Sequence, residues 1–162
     1  MTILDQWSVK FQPDAEPVAS VVSGEIVQFN TVDCFNGQIQ SERDTMAHLD
    51  ESSANPATSP LYVEGAEPGD VIAVDILDIR VADHGVCCTM TDEGPYWPMM
   101  ELRSKIIPIR EGYAHFNDVK WPIDPMIGVI GTAVADREVP TEWVKEKHSG
   151  ERARSASLYQ DQ

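Results

Sequence analysis

Acidic residues placed beside turn glycines are what this chain offers to chemistry. Asp33 ends an apolar run and is followed by Gly37 and Gln38, a spacing that can set a carboxylate and an amide donor at one cleft. Glu64 immediately precedes Gly65 and has the chemistry of a general base or a metal ligand. Glu67 lies in the turn that follows and reads as a solvated charge. Cys34 neighbours Asp33, whose charge raises a thiol pKa, and no histidine is placed by sequence to activate it, so the spacing argues against a thiolate nucleophile.

Metal-type residues are sparse. His48 stands in a polar stretch between Asp44 and Asp50 and is the candidate ligand for a divalent ion such as zinc or calcium. His84, Cys87 and Cys88 are close in sequence, yet adjacent strand residues point to opposite faces, so the two thiols do not share one ion. His115, between Tyr113 and Phe116, reads as structural. Tyr96, Trp97, Met99 and Met100 would make either an apolar wall for a small ligand or packing under a Pro-rich loop.

The elements that must position these residues are short strands. Tyr62 to Asp78 joins a tight turn, Pro68-Gly69-Asp70, to an alternating run in which Ile72, Val74 and Ile76 share one face, which predicts a mostly buried strand over 71–78. An earlier stretch, Ser23 to Asp33, aligns with Pro68 to Asp78 and ends in an acid both times. Further strands are expected around Trp7 to Phe11, over 79–81, 86–90, 105–110, 113–116 and 126–133. Asp83-His84-Gly85 reads as a turn and Glu111-Gly112 as a hairpin turn. Residues 40–59 read as a long polar loop with a helical turn near Asp44 to Leu49. Short strands punctuated by Gly and Pro point to an all-β sandwich or barrel.

Composition narrows the partners. The chain has 162 residues, 12 basic and 27 acidic, for a formal charge of −15, which repels phosphate backbones and anionic lipid; neither nucleic acid nor a membrane surface is an expected partner. One domain of this length can bury a sizeable core. Three cysteines, two of them adjacent, make a poor disulfide framework. With no apolar run of spanning length and no signal-like N-terminus, the expected compartment is the cytoplasm. The balance changes near the end: residues 1–137 hold eight basic and 22 acidic residues, whereas 138–162 hold four and five. Residues 1–138 are therefore read as the β domain and 139–162 as a divergent, weakly packed tail, helical or disordered.

Four phrases carry a resemblance. They are Asp33-Cys34-Phe35-Asn36-Gly37-Gln38-Ile39, the stretch Pro60 to Asp70, Lys105-Ile106-Ile107-Pro108, and Pro125 to Ala133. In this order the chain resembles the N-terminal part of the acetamidase/formamidase family. The resemblance implies a β-rich fold with a jelly-roll-like sandwich and hydrolysis of short linear amides to a carboxylate and ammonia. Asp33, Gln38 and Glu64 are the residues then expected at the catalytic site. It also implies that more is needed, because the family continues after the Ile-Gly-Thr-Ala phrase into a His-Gly-Gly-Asn motif and a second half with further His and acidic residues. His148-Ser149-Gly150 is a poor substitute, and Ser59 stands where the family usually has Gly. The sequence thus reads as a truncated, N-terminal portion of an amidase, incomplete alone. The alternative is a non-catalytic β-domain that binds or assembles, either as a homo-oligomer or with a separately encoded second half.

Overall fold

The computed structural model describes residues 1–58, 60–91, 94–133 and 137–141. Twelve short strands follow in chain order: β1 (Thr2–Leu4), β2 (Trp7–Ser8), β3 (Lys10–Phe11), β4 (Ala19–Val21), β5 (Val27–Phe29), β6 (Ala57–Thr58), β7 (Leu61–Val63), β8 (His84–Cys88), β9 (Ser104–Arg110), β10 (Tyr113–Phe116), β11 (Val119–Pro122) and β12 (Val139–Pro140). Three single 3₁₀ turns lie at Met46–His48, Glu51–Ser53 and Trp97–Met99. The all-β class expected from the turn and alternation pattern is the class observed. Among the described residues no helix is long and apolar enough to cross a membrane.

Two compact units divide the chain. The first comprises Met1–Asn36, Glu51–Ala73 and Gly128–Gln162, and it is built from strand pairs. β1 lies parallel to β5 and β4 parallel to β7, while β2 runs antiparallel to β6 and β3 antiparallel to β12. The β4–β7 ladder extends at both ends, where the Val18 N–H donates to the Pro60 carbonyl at 3.0 Å and the Glu64 N–H to the Val21 carbonyl at 2.8 Å. Among its described residues Leu4, Val21 and Val139 are the buried apolar side chains. Phe11 fills the space beside Gly131, where a Cβ would meet its ring at 3.4 Å.

The second unit comprises Gly37–Asp50 and Val74–Ile127 and holds a four-stranded antiparallel sheet in the order β11-β10-β9-β8. Its β9–β10 connection is the expected hairpin turn. Glu111 at φ 51° and Gly112 at φ 77° give the two positive φ values that a type I′ turn needs to follow strand twist. A second hairpin at Asn117, φ 51°, joins β10 to β11. The Lys120 ammonium lies 4.1 Å from the Tyr113 ring centroid on this sheet, and Lys105 lies 5.4 Å from that of Phe116. Ile39 is the buried apolar anchor of the 37–50 loop, which contains the helical turn expected there, as a 3₁₀ turn.

Several expectations are corrected. No strand forms over 71–78 or 79–81, and Val71 is 93% and Leu77 70% exposed. The Gly69 turn is present, but alternation only creates the possibility of a strand. A ladder partner must accept from its N–H groups and donate to its C=O groups, and none is there among the described residues. Residues 126–133 likewise form no strand. His84 and Gly85 open β8 instead of making a turn, because both find ladder partners in β9, His84 opposite Pro108 and Gly85 opposite Ile107. Among the described residues the buried apolar side chains are Leu4, Val21, Ile39 and Val139. At the start of the expected tail, Thr141 is 1% exposed and its N–H donates to the Val9 carbonyl at 2.9 Å. Ser59, His148 and the rest of the expected tail from 142 lie outside the described residues.

Candidate functional site

Asp33 and Glu64 both belong to the first unit. Asp33 is exposed just beyond β5; its Oδ1 accepts the Phe35 N–H at 2.8 Å and its carbonyl accepts the Asn36 N–H at 2.9 Å. This local closure is the turn chemistry that Asp favours, with Asn36 and Gly37 at positive φ (55° and 67°) completing the bend. Glu64 directly follows β7, exposed, and its Oε1 accepts the Ser20 hydroxyl at 3.0 Å. Ser20 sits opposite Tyr62 in the parallel β4–β7 ladder, so the ladder register places its hydroxyl within reach of Glu64. Sequence reasoning missed Ser20, since nothing in a single chain reveals which two strands pair.

Gln38 and His48 belong to the second unit. The half-buried Gln38 side chain clamps one backbone residue: its Oε1 accepts the Asp50 N–H at 2.8 Å and its Nε2 donates to the Asp50 carbonyl at 3.2 Å. The expected amide donor therefore ties the two ends of the 37–50 loop together. His48 is exposed at the end of the 3₁₀ turn, with Nδ1 3.3 Å from the Thr45 hydroxyl. Among the described residues no three His, Cys, Asp or Glu side chains converge on a point that could hold a metal ion.

Inside the same loop Asp44 is the best-satisfied carboxylate. Its Oδ2 accepts the Gln40 N–H at 3.0 Å, the Ser41 N–H at 2.8 Å and the Ser41 hydroxyl at 3.0 Å. Those hydrogen bonds, the Gln40 N–H foremost, hold its pKa below the ordinary carboxylate value, with a small contribution from His48. The Ser41-x-x-Asp44 spacing, in which a carboxylate reaches back three residues, was the signal available for it. In β8, Cys87 faces Lys105 and Cys88 faces Ser104 in register, with Cys87 exposed and Cys88 half-buried, as the two-face argument requires. His84 Nδ1 lies 2.6 Å from Asp83 Oδ1, a contact that lowers the Asp83 pKa.

An open cleft of about 340 Å³ in the second unit is lined by Thr89, Met99, Met100, Glu101 and Arg103. Met99 and Met100 are two of the four apolar residues expected to form a wall. Its polar side is fixed by Thr89, whose hydroxyl donates to the Glu101 carbonyl at 2.7 Å and accepts the Arg103 N–H at 2.7 Å. Arg103 pairs with Glu101 at 2.6 Å. The Tyr96 side chain is exposed and is not part of the lining.

Comparison with known proteins places this architecture. A family model described as the Acetamidase/Formamidase family matches residues 4–161, a longer stretch than the four phrases span. The solved acetamidase of Bacillus halodurans is similar at TM-score 0.81 and 35% identity, over 85% of this chain and 48% of that one. A solved predicted acetamidase/formamidase of Thermoanaerobacter tengcongensis is similar at TM-score 0.80 and 39% identity, over 86% and 48%. A formamidase of Methylophilus methylotrophus is 33% identical over 76 residues, 46% of this chain and 19% of the relative. The chain spans about half the length of the solved relatives and 35% or less of the curated relatives it matches. On this match from residue 4 to residue 161, with the β-strand architecture it shares, the chain belongs to the acetamidase/formamidase family.

Proposed function

We propose that this chain supplies the N-terminal part of a hydrolase that converts short linear amides such as formamide or acetamide to a carboxylate and ammonia. The observation that carries the reading is the family match over residues 4–161. Amide hydrolysis needs a water activated for attack on the carbonyl carbon, donors for the oxyanion that develops, and a proton for the departing nitrogen. Glu64 is suited to the first and last of these. The Ser20 hydroxyl donates to Oε1 and orients the carboxylate, which is exposed and in this reading takes a proton from water and returns it to nitrogen. Asp33 is a second carboxylate, held in its turn by the Phe35 N–H. Gln38 acts through the loop it closes on Asp50 and is a positioning residue. The remaining donors come from the second half of the fold, which the family has and these 162 residues do not cover.

The test joins the chain, by co-expression, to the half of the Bacillus halodurans acetamidase outside the matched region. Ammonia release from formamide, acetamide and propionamide is then followed. Glu64→Gln and Asp33→Asn are expected to lower kcat by about 100-fold or more, the usual loss for one preorganised group. Gln38→Ala is expected to act mainly on KM and stability. Joined enzyme whose turnover ignores both carboxylate changes would refute these assignments.

A further inference from the structure

The chain contains four asparagines, and one of them is placed to react with its own backbone. An asparagine side chain can be attacked by the amide nitrogen of the next residue, and the residue that hinders this least is glycine, which has no Cβ. Asn36 precedes Gly37, whereas Asn30 precedes β-branched Thr31, Asn55 precedes Pro56, which has no N–H, and Asn117 precedes Asp118. Asn30 is further held by its Oδ1, which accepts from Gln28 Nε2 at 2.9 Å. The Asn36 carboxamide makes no hydrogen bond among the described residues.

The surroundings of this pair are open and locally held. Asn36 is half-buried, and the nearest atom to a Cβ added at Gly37 would be Gln40 Nε2, at 3.7 Å. Asn36 and Gly37 stand at φ 55° and 67°, in the left-handed region that both residues tolerate. Neighbours close the bend: the Asn36 N–H donates to the Asp33 carbonyl at 2.9 Å, and Gln40 Nε2 donates to the Gly37 carbonyl at 2.6 Å. Attack on the side chain needs rotation about the Asn36 Cα–C bond, which a local opening of this turn permits. Fully buried Ile39, two residues beyond Gly37, keeps that opening rarer than in an unfolded chain.

We propose that Asn36 is a site of spontaneous modification, converted with water through a cyclic imide to aspartyl and isoaspartyl forms, and that the isoaspartyl form releases the Gln38 clamp on Asp50. The Gly37 nitrogen bonds to Asn36 Cγ, the Cγ–Nδ2 bond breaks, and ammonia leaves with the proton that Gly37 gives up. Water then opens the imide at either carbonyl. Cleavage at Cγ leaves aspartate in the ordinary chain. Cleavage at the backbone carbonyl leaves a chain that runs through Cβ and Cγ, one atom longer, with a carboxylate on Cα. Either product adds a negative charge close to Asp33, and the longer form shifts Gln38 from the geometry in which it holds both backbone groups of Asp50. Each chain yields a single ammonia whatever amide is added, which tells this reaction apart from turnover of a substrate.

The test incubates the purified full chain in native buffer over a range of pH, beside a urea-unfolded sample, and maps the asparagines by peptide mass spectrometry. Isoaspartyl is scored by methyl transfer from S-adenosylmethionine with an isoaspartyl methyltransferase. In the native chain Asn36 is expected to exchange NH2 for OH about tenfold or more faster than Asn30 or Asn117, since of the residues that follow them only Gly37 lacks a Cβ. The rate should rise with pH, because the attacking nitrogen must lose its proton, and should be higher in urea. Hydrogen exchange at the Asp50 N–H should be about tenfold faster in isoaspartyl chains than in the parent. Asn36→Gln should remove both the isoaspartyl signal and the single released ammonia. Conversion of Asn36 no faster than of Asn117, conversion confined to the urea sample, aspartyl product without isoaspartyl, or isoaspartyl chains with unchanged Asp50 exchange would each overturn the proposal.

Discussion

Glu25 and Asp70 do the same work in two copies of one turn. Asp70 Oδ2 accepts the Glu67 N–H at 2.9 Å while the Asp70 N–H donates to the Glu67 carbonyl at 3.0 Å. Glu25 Oε2 accepts the Val22 N–H at 3.4 Å while the Glu25 N–H donates to the Val22 carbonyl at 3.2 Å. Between them in each copy stands a glycine at positive φ, Gly24 at 88° and Gly69 at 103°, the value that the third residue of a type II turn requires. The repeat is thus real at the level of the turn, and the copies part company only where a strand needs a neighbour.

Gly69→Ala should therefore destabilise the chain through its backbone alone. Nothing lies within 4 Å of the position a Cβ would take, so no clash contributes. The expected loss is about 1–2 kcal/mol, read as a lower urea midpoint with an unchanged slope. Gly24→Ala should behave alike, and an unchanged midpoint in both would contradict the turn assignment.

What the sequence made legible follows from how local each signal is. Glu111-Gly112, the Gly24 and Gly69 turns and the β9 and β10 strands could be read because a turn is closed by its own residues and a hairpin by its neighbours. The strand expected over 71–78 failed because alternation says nothing of whether a neighbouring strand exists to pair with it, and the Ser20–Glu64 contact was hidden because the β4–β7 register joins residues far apart in sequence. Gln38 was legible as a donor but not its acceptor, since the choice of the Asp50 backbone depends on the path of the whole 37–50 loop.

Replacing Glu111 by Asn should stabilise the β9–β10 hairpin. Glu111 is held at φ 51°, a region that Asn occupies at little cost and most L-residues do not. Thermal unfolding should show a gain of about 1 kcal/mol. A loss would mean that the Glu side chain has a stabilising role the turn geometry does not reveal.

Asp44 makes stability depend on acid. Its folded pKa lies below the ordinary aspartate value because the Gln40 and Ser41 groups favour the charged form. The stability it contributes is therefore fully present above the unfolded pKa and is lost as pH falls through the lower, folded one. Asp44→Asn should be less stable than the parent at neutral pH, and the gap between their urea midpoints should close below pH 3.8. A gap that stays constant through that range would contradict the hydrogen-bond assignment.

Thr141→Val should be neutral or stabilising. The Thr141 hydroxyl is buried with no hydrogen-bond partner among the described residues, so it bears a desolvation cost with no return. Removing it while keeping the side-chain shape should gain up to about 1 kcal/mol in urea unfolding. A clear loss would show that the hydroxyl has a partner.

Ammonia release from formamide and acetamide by the purified chain on its own tests most directly whether residues 1–162 hold only part of an amidase site. On the proposed function, in which Asp33 and Glu64 act with donors from the part of the fold that these residues do not match, no turnover above the uncatalysed rate is expected, since each missing oxyanion donor costs about 100- to 1000-fold. Robust turnover by the chain alone that disappears on Asp33→Asn or Glu64→Gln would contradict this and place a complete site within these residues.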